Sequence, residues 1–257
     1  NDGADAARNQ AAALVAEGQA ADGSWPVGAA GLGGPTTYGA ALATVQARHV
    51  LRQTDPVNYR EALARADRWL RTTPVKNVLT AAAVLLGLAG SDDAAAQQQR
   101  HVCLDLIRQG QGKDGGWGPY VSSSPEVFDT ALVVLALTAD DRATQAALVG
   151  GGRAYLIASQ EPDGSWPETT RPSGGVSYAQ RISTTAWAAL ALLATEARLP
   201  RERGEGCTKH FTPPAHAGGA LNAYTSNPEL EGSRRGRCAD HQAASMSSAV
   251  VGLHSGP

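Results

Sequence analysis

A chain of 257 residues, 42% hydrophobic and 18% charged, is long enough for one sizeable core and fits a soluble all-helical domain. Its formal net charge of −2 argues against a nucleic-acid partner, which needs a clustered basic surface. The longest apolar stretches, about Thr80 to Ala89 and Thr184 to Ala194, fall far short of the roughly 20 residues that cross a bilayer. The sequence opens at Asn1 without a charged leader followed by an apolar stretch. A targeting peptide is therefore expected to have been removed or never included, and the compartment is left open.

In chain order, the first amphipathic helix is expected at about Ala4 to Glu17, followed by an apolar one at Tyr38 to Val45. Next, Tyr59, Leu63, Ala66 and Leu70 recur at helical spacing with Arg60, Glu61, Arg65, Asp67 and Arg68 between them. That is the pattern of a surface helix, about Asn58 to Arg71. Val78 to Leu88 is alanine- and leucine-rich around its whole circumference, as expected for a helix buried on all sides. The alternation continues with a surface helix at Ala94 to Gln109, a buried one at Val127 to Leu137, a surface one at Thr144 to Ser159 and a buried one at Ile182 to Leu193. The acidic pairs Asp92-Asp93 and Asp140-Asp141 follow buried helices, where such pairs cap the next helix and face water. From Arg201 to Pro257 helical periodicity stops, aliphatic residues are sparse, and glycine, arginine, serine and histidine accumulate. That profile predicts a low-complexity, disordered tail after a domain spanning 1–200; a shifted reading frame would leave the same profile.

One phrase recurs three times with fixed internal spacing: Gln19 to Trp25, Gln111 to Trp117 and Gln160 to Trp166 all read Q-x-x-D-G-[SG]-W. The second and third copies lie one unit of about 50 residues apart and the first and second about two units, which marks a repeat architecture with one degenerate unit between. Asp-Gly is turn chemistry, because glycine reaches positive φ freely and the aspartate bonds its own turn. Each phrase should therefore end a helix, with the glutamine bridging that helix's exposed carbonyls and the tryptophan covering the neighbouring repeat. A structural role is the simplest one for Gln19, Trp25, Gln111, Trp117, Gln160 and Trp166.

The repeated phrase resembles the Gln-Trp repeats of the squalene cyclase and prenyltransferase superfamily, and with the intervening helices the resemblance covers about Ala4 to Ala197. It implies an α/α barrel of outer and inner helices around an apolar cavity for an isoprenoid or other lipid. Four helical hairpins are expected where the family's closed barrel has six. That leaves an incomplete arc whose remaining wall is covered by the C-terminal segment, supplied by another chain, or missing through truncation. A structural or interaction arc with no catalysis is the alternative reading.

Pro125-Glu-Val-Phe-Asp-Thr-Ala131 resembles the D-x-D-D-T-A stretch in which the middle aspartate of the cyclases protonates the isoprenoid. Glu126 takes the first acidic place, Asp129 the last, and Phe128 stands where the proton donor should be. A phenyl ring cannot act as a general acid, so Glu126 and Asp129 are the catalytic candidates left. If the chain is active, the resemblance implies a squalene-hopene-cyclase-like isomerase, an intramolecular transferase. Carbocation chemistry also calls for aromatic faces, and only 5% of the chain is aromatic. Tyr38, Phe128, Tyr178 and Trp187 are the inner-helix aromatics. Tyr38, Phe128 and Trp187 are the candidate cavity residues, with core packing the simpler role for Trp187. Ser183-Thr-Thr-Ala-Trp187-Ala-Ala-Leu190 resembles a family inner-helix segment.

No cofactor is expected. The zinc set of the prenyltransferase branch has no counterpart here: Cys103-Leu-Asp105 has the wrong order and lies on an outer helix, so Cys103 reads as a buried thiol. Gly150-Gly-Gly152 lacks the lysine and Ser/Thr of a phosphate loop. The tail holds two C-x-x-H pairs, Cys207 with His210 and Cys238 with His241. They are four soft ligands that could close a tetrahedral zinc site, but the spacing matches no standard finger and coincidence is the simpler account. Three cysteines leave an odd thiol, which disfavours a disulfide framework.

Overall fold

The computed structural model describes residues 2–27, 39–140, 145–169 and 178–196. These hold eight α-helices: α1 (Asp2–Glu17), α2 (Gly39–Thr54), α3 (Arg60–Thr72), α4 (Val78–Gly87), α5 (Ala94–Gly110), α6 (Val127–Asp140), α7 (Ala146–Ala158) and α8 (Tyr178–Glu196). No strand occurs among the described residues, and Gln111 and Trp117 form an isolated antiparallel bridge. The fold is an incomplete α/α barrel. No described helix is long and apolar enough to cross a membrane.

The even-numbered helices form an inner row, α2 against α4, α4 against α6 and α6 against α8. What lets them pack is small side chains: Ala81, Ala82, Ala131, Ala136, Ala188 and Ala191 are all fully buried. α6 buries nearly its whole circumference, as its unbroken apolar run dictates. The outer helices cover the row. α3, α5 and α7 each pack on the inner helix before them, and α7 also on α8, so α7 bridges two hairpins.

Two expected inner helices differ from expectation. α2 does not stop at Val45 but runs on to Thr54. Arg48 continues it because its guanidinium finds partners, donating to the Gly87 carbonyl at 2.7 Å and pairing with Asp67. α8 is not buried on all sides. Tyr178, Ile182, Leu190 and Leu193 are exposed, since α8 ends the row of described inner helices.

Helix ends are set by local chemistry. Asn77 caps α4 by accepting from the Thr80 N–H at 2.7 Å, and Asp93 caps α5 by accepting from the Ala96 N–H at 3.0 Å, as the sequence predicts for the Asp92-Asp93 pair. Asp140 departs from its predicted place in water. It is buried, 2.6 Å from Arg100, and accepts from the Gln145 amide at 2.8 Å. Arg100 also donates to the Ser91 carbonyl at 2.7 Å, so a buried carboxylate is matched by a buried cation and further donors. Asp141 lies outside the described residues.

Candidate functional site

The three phrases form the same joint at the N-terminal ends of inner helices. Each tryptophan indole N–H donates to the last turn of the preceding outer helix: Trp25 to Val15 O at 2.6 Å, Trp117 to Ile107 O at 2.7 Å and Trp166 to Leu156 O at 2.7 Å. Each tryptophan backbone N–H donates to a threonine of the following inner helix: Thr44 at 3.0 Å, Thr130 at 2.9 Å and Thr185 at 3.1 Å. The three rings are 8%, 0% and 4% exposed. These threonines escape the sequence reading, although Thr44 and Thr185 stand equally far beyond their tryptophans.

The glutamines do something other than bridge their own helix end. Each donates back to its turn, to Gly23, Gly115 or Gly164 O at 3.0 Å. Two reach onward to another outer helix, Gln19 to Ala62 O of α3 at 2.8 Å and Gln111 to Leu148 O of α7 at 3.2 Å. The glycine of each turn has a positive φ, and at Gly23 and Gly115 the backbone of the receiving helix fills the space where a Cβ would stand. Only glycine permits both that φ and that approach. At the degenerate joint the polarity is reversed, with Gln99 of α5 donating to the Thr73 carbonyl at 2.6 Å.

Pro125-Glu-Val-Phe-Asp-Thr-Ala131 opens α6 directly on the second joint. The Glu126 N–H donates to Trp117 O at 2.9 Å, and Thr130 Oγ1 both accepts from and donates to the Trp117 backbone. The Glu126 carboxylate accepts from the buried Thr169 hydroxyl. Tyr155 donates its phenol proton to Pro125 O at 3.1 Å, and burial pushes that phenol up. Asp129 is fully buried in the first turn of α6, at the positive end of the helix dipole, which favours negative charge.

Phe128 is also fully buried and meets Trp187 edge to face, with centroids 5.8 Å apart and planes at 81°. That geometry is the favourable one for aromatic pairs, and it ties α6 to α8. The structure therefore brings Glu126, Phe128, Asp129 and Trp187 to one region of α6 and α8. Tyr38, Cys207, His210, Cys238 and His241 lie outside the described residues. Among the described residues no group of His, Cys, Asp and Glu side chains could hold a metal ion, and Cys103 is a free buried thiol.

At the opposite, C-terminal ends of α2 and α4 lies a cavity of about 310 Å³ whose lining includes Val45, Arg48, His49, Arg52 and Leu86. The sequence reading missed it because α2 was expected to end at Val45. A family model described as the squalene-hopene cyclase C-terminal domain matches residues 70–209, more than half of the chain. No curated protein matches it.

Proposed function

Because the chain belongs to the squalene-hopene cyclase C-terminal domain family, we propose that it is a terpenoid-cyclase-like domain that holds an isoprenoid or other lipid without itself starting cyclisation. The observation that carries this reading is Phe128, fully buried against Trp187, at the position where the resemblance would put the protonating acid. Protonation of an alkene needs a neutral carboxyl aimed at it. Glu126 accepts from the Thr169 hydroxyl, and Asp129 lies in the first turn of α6. The lipid would rest on apolar surface of the inner helices, as cavities for such ligands generally do.

A non-catalytic scaffold is the second reading, favoured by the alanines packed to closure between α4, α6 and α8. One experiment separates the two. The full chain is purified and its co-purifying lipids are identified by mass spectrometry, then it is incubated with squalene and the products are analysed. The proposal expects bound isoprenoid or lipid and no cyclic product. A lipid-free protein that takes up no squalene supports the scaffold, and cyclic product would show that a residue other than Phe128 holds the acid's place.

A further inference from the structure

The two ends of the helix array carry matching halves of one joint. The first phrase is received by Ala62, Arg65 and Trp69 of α3: Gln19 donates to Ala62 O, Gly23 lies on the Arg65 backbone, and Trp69 stands beside Asp22. The second is received in the same i, i+3, i+7 register by Leu148, Gly151 and Tyr155 of α7, with the Tyr155 ring against Gly116. The third phrase has no receiving helix among the described residues. Gln160, Asp163 and Gly164 are exposed, Gln160 donates to its own turn, and a Cβ at Gly164 would meet nothing within 4 Å. Its geometry is nevertheless preformed: φ of Gly164 is 84°, against 86° for Gly115, and Asp163 accepts from the Ser165 N–H as Asp114 does from Gly116.

α1 is the reverse case, an outer helix that receives no phrase among the described residues. Ala7, Gln10 and Leu14 repeat the register of Leu148, Gly151 and Tyr155, and each triplet stands equally far before its own Gln19 or Gln160. All three are exposed, and Leu14, at the place of Trp69 and Tyr155, is 63% exposed. Ala7 stands at the register place of Ala62, whose carbonyl accepts from Gln19.

We propose that a second copy of this chain fills the empty joint, with α1 of one copy received by the third phrase of another. The contact pairs two different surfaces, so it is heterologous, and an open assembly keeps one free α1 at one end and one free third phrase at the other unless a ring closes. Ile182, Leu190 and Leu193 on the exposed face of α8 supply apolar surface at the same end. The inference rests on the joint geometry and is independent of any lipid ligand.

The test uses the full chain and two variants, each altered at exposed positions: Leu14→Glu on the α1 face, and Gln160→Ala with Gly164→Asn in the third phrase, asparagine being tolerant of positive φ. Circular dichroism and melting temperature confirm that both fold as the parent does. In sedimentation the parent's mean mass should rise with concentration, each variant alone should lose that rise, and an equimolar mixture should recover a 1:1 dimer through its one intact joint. A parent that stays monomeric, or a mixture that does, overturns the proposal. So does association that survives both variants but is lost on Ile182→Lys, which would assign the contact to a symmetric pairing of α8 faces.

Discussion

Gln111 and Gln160 occupy the same place in the same phrase but hold different amounts of structure. The amide of Gln111 is half-buried and joins two carbonyls, Gly115 and Leu148, so its removal strands both across the joint. Gln160 is exposed and donates within its own turn. Gln111→Ala should therefore cost about 1–2 kcal/mol, the range for losing partly buried hydrogen bonds. Gln160→Ala should stay within about 0.5 kcal/mol, as surface substitutions do. Urea unfolding of the two variants beside the parent measures both, and equal losses would mean that the onward reach to α7 contributes nothing. The sequence marked these residues as structural but misassigned their acceptors, because a phrase records which groups are present and not which helix lies opposite.

At the scale of elements, the start of α5 is governed by one carboxylate. Asp93 accepts from both Nε and Nη2 of Arg71 and from the Ala96 N–H. The Arg71 guanidinium first, then the Ala96 amide, hold its carboxyl down at about 2. An unfolded aspartate titrates near ~3.9. The folded pKa is the lower one, so the contribution is present in full above about pH 4 and is lost as pH falls from about 4 through about 2. Asp93→Asn should melt below the parent at pH 5, and the gap should close as both are taken to pH 2; a gap that persists would place the effect in packing. Where α6 meets α8, Phe128→Ala should cost about 3–5 kcal/mol, the range for deleting a buried phenyl ring, readable in the same urea experiment. The α6 helix was legible from its unbroken apolar run. The full length of α2 was not, because the groups that receive Arg48, Asp67 and the Gly87 carbonyl, lie far along the chain.

Across the whole molecule, Cys103 reports on the core. It is fully buried, and burial pushes its thiol up to about 12, while the thiolate is the reactive form. At pH 8 a maleimide should leave the Cys103 peptide unmodified in the native protein and label it once urea unfolds the domain. Rapid native labelling, located by peptide mass analysis, would mean that the α4–α5–α6 core opens locally. Of the outer helices, α3 and α7 rest on the inner helix before them and receive a joint, α5 rests on α4, and α1 packs on α2.

Periodicity and turn chemistry act within a few residues of each other. For that reason the sequence alone determined the all-helical alternation, the three turns with their glycines at positive φ, the burial of Trp25, Trp117 and Trp166, the cap at Asp93 and the buried thiol of Cys103. Only the tertiary structure decided what depends on partners far along the chain. It placed Asp140 in the core beside Arg100, gave Trp117 its partner Thr130, set Phe128 against Trp187, and left the third phrase and α1 each without a counterpart among the described residues. A buried charge or a helix carbonyl is satisfied by whatever the fold brings to it, and that neighbour is chosen by packing, not by spacing in the chain.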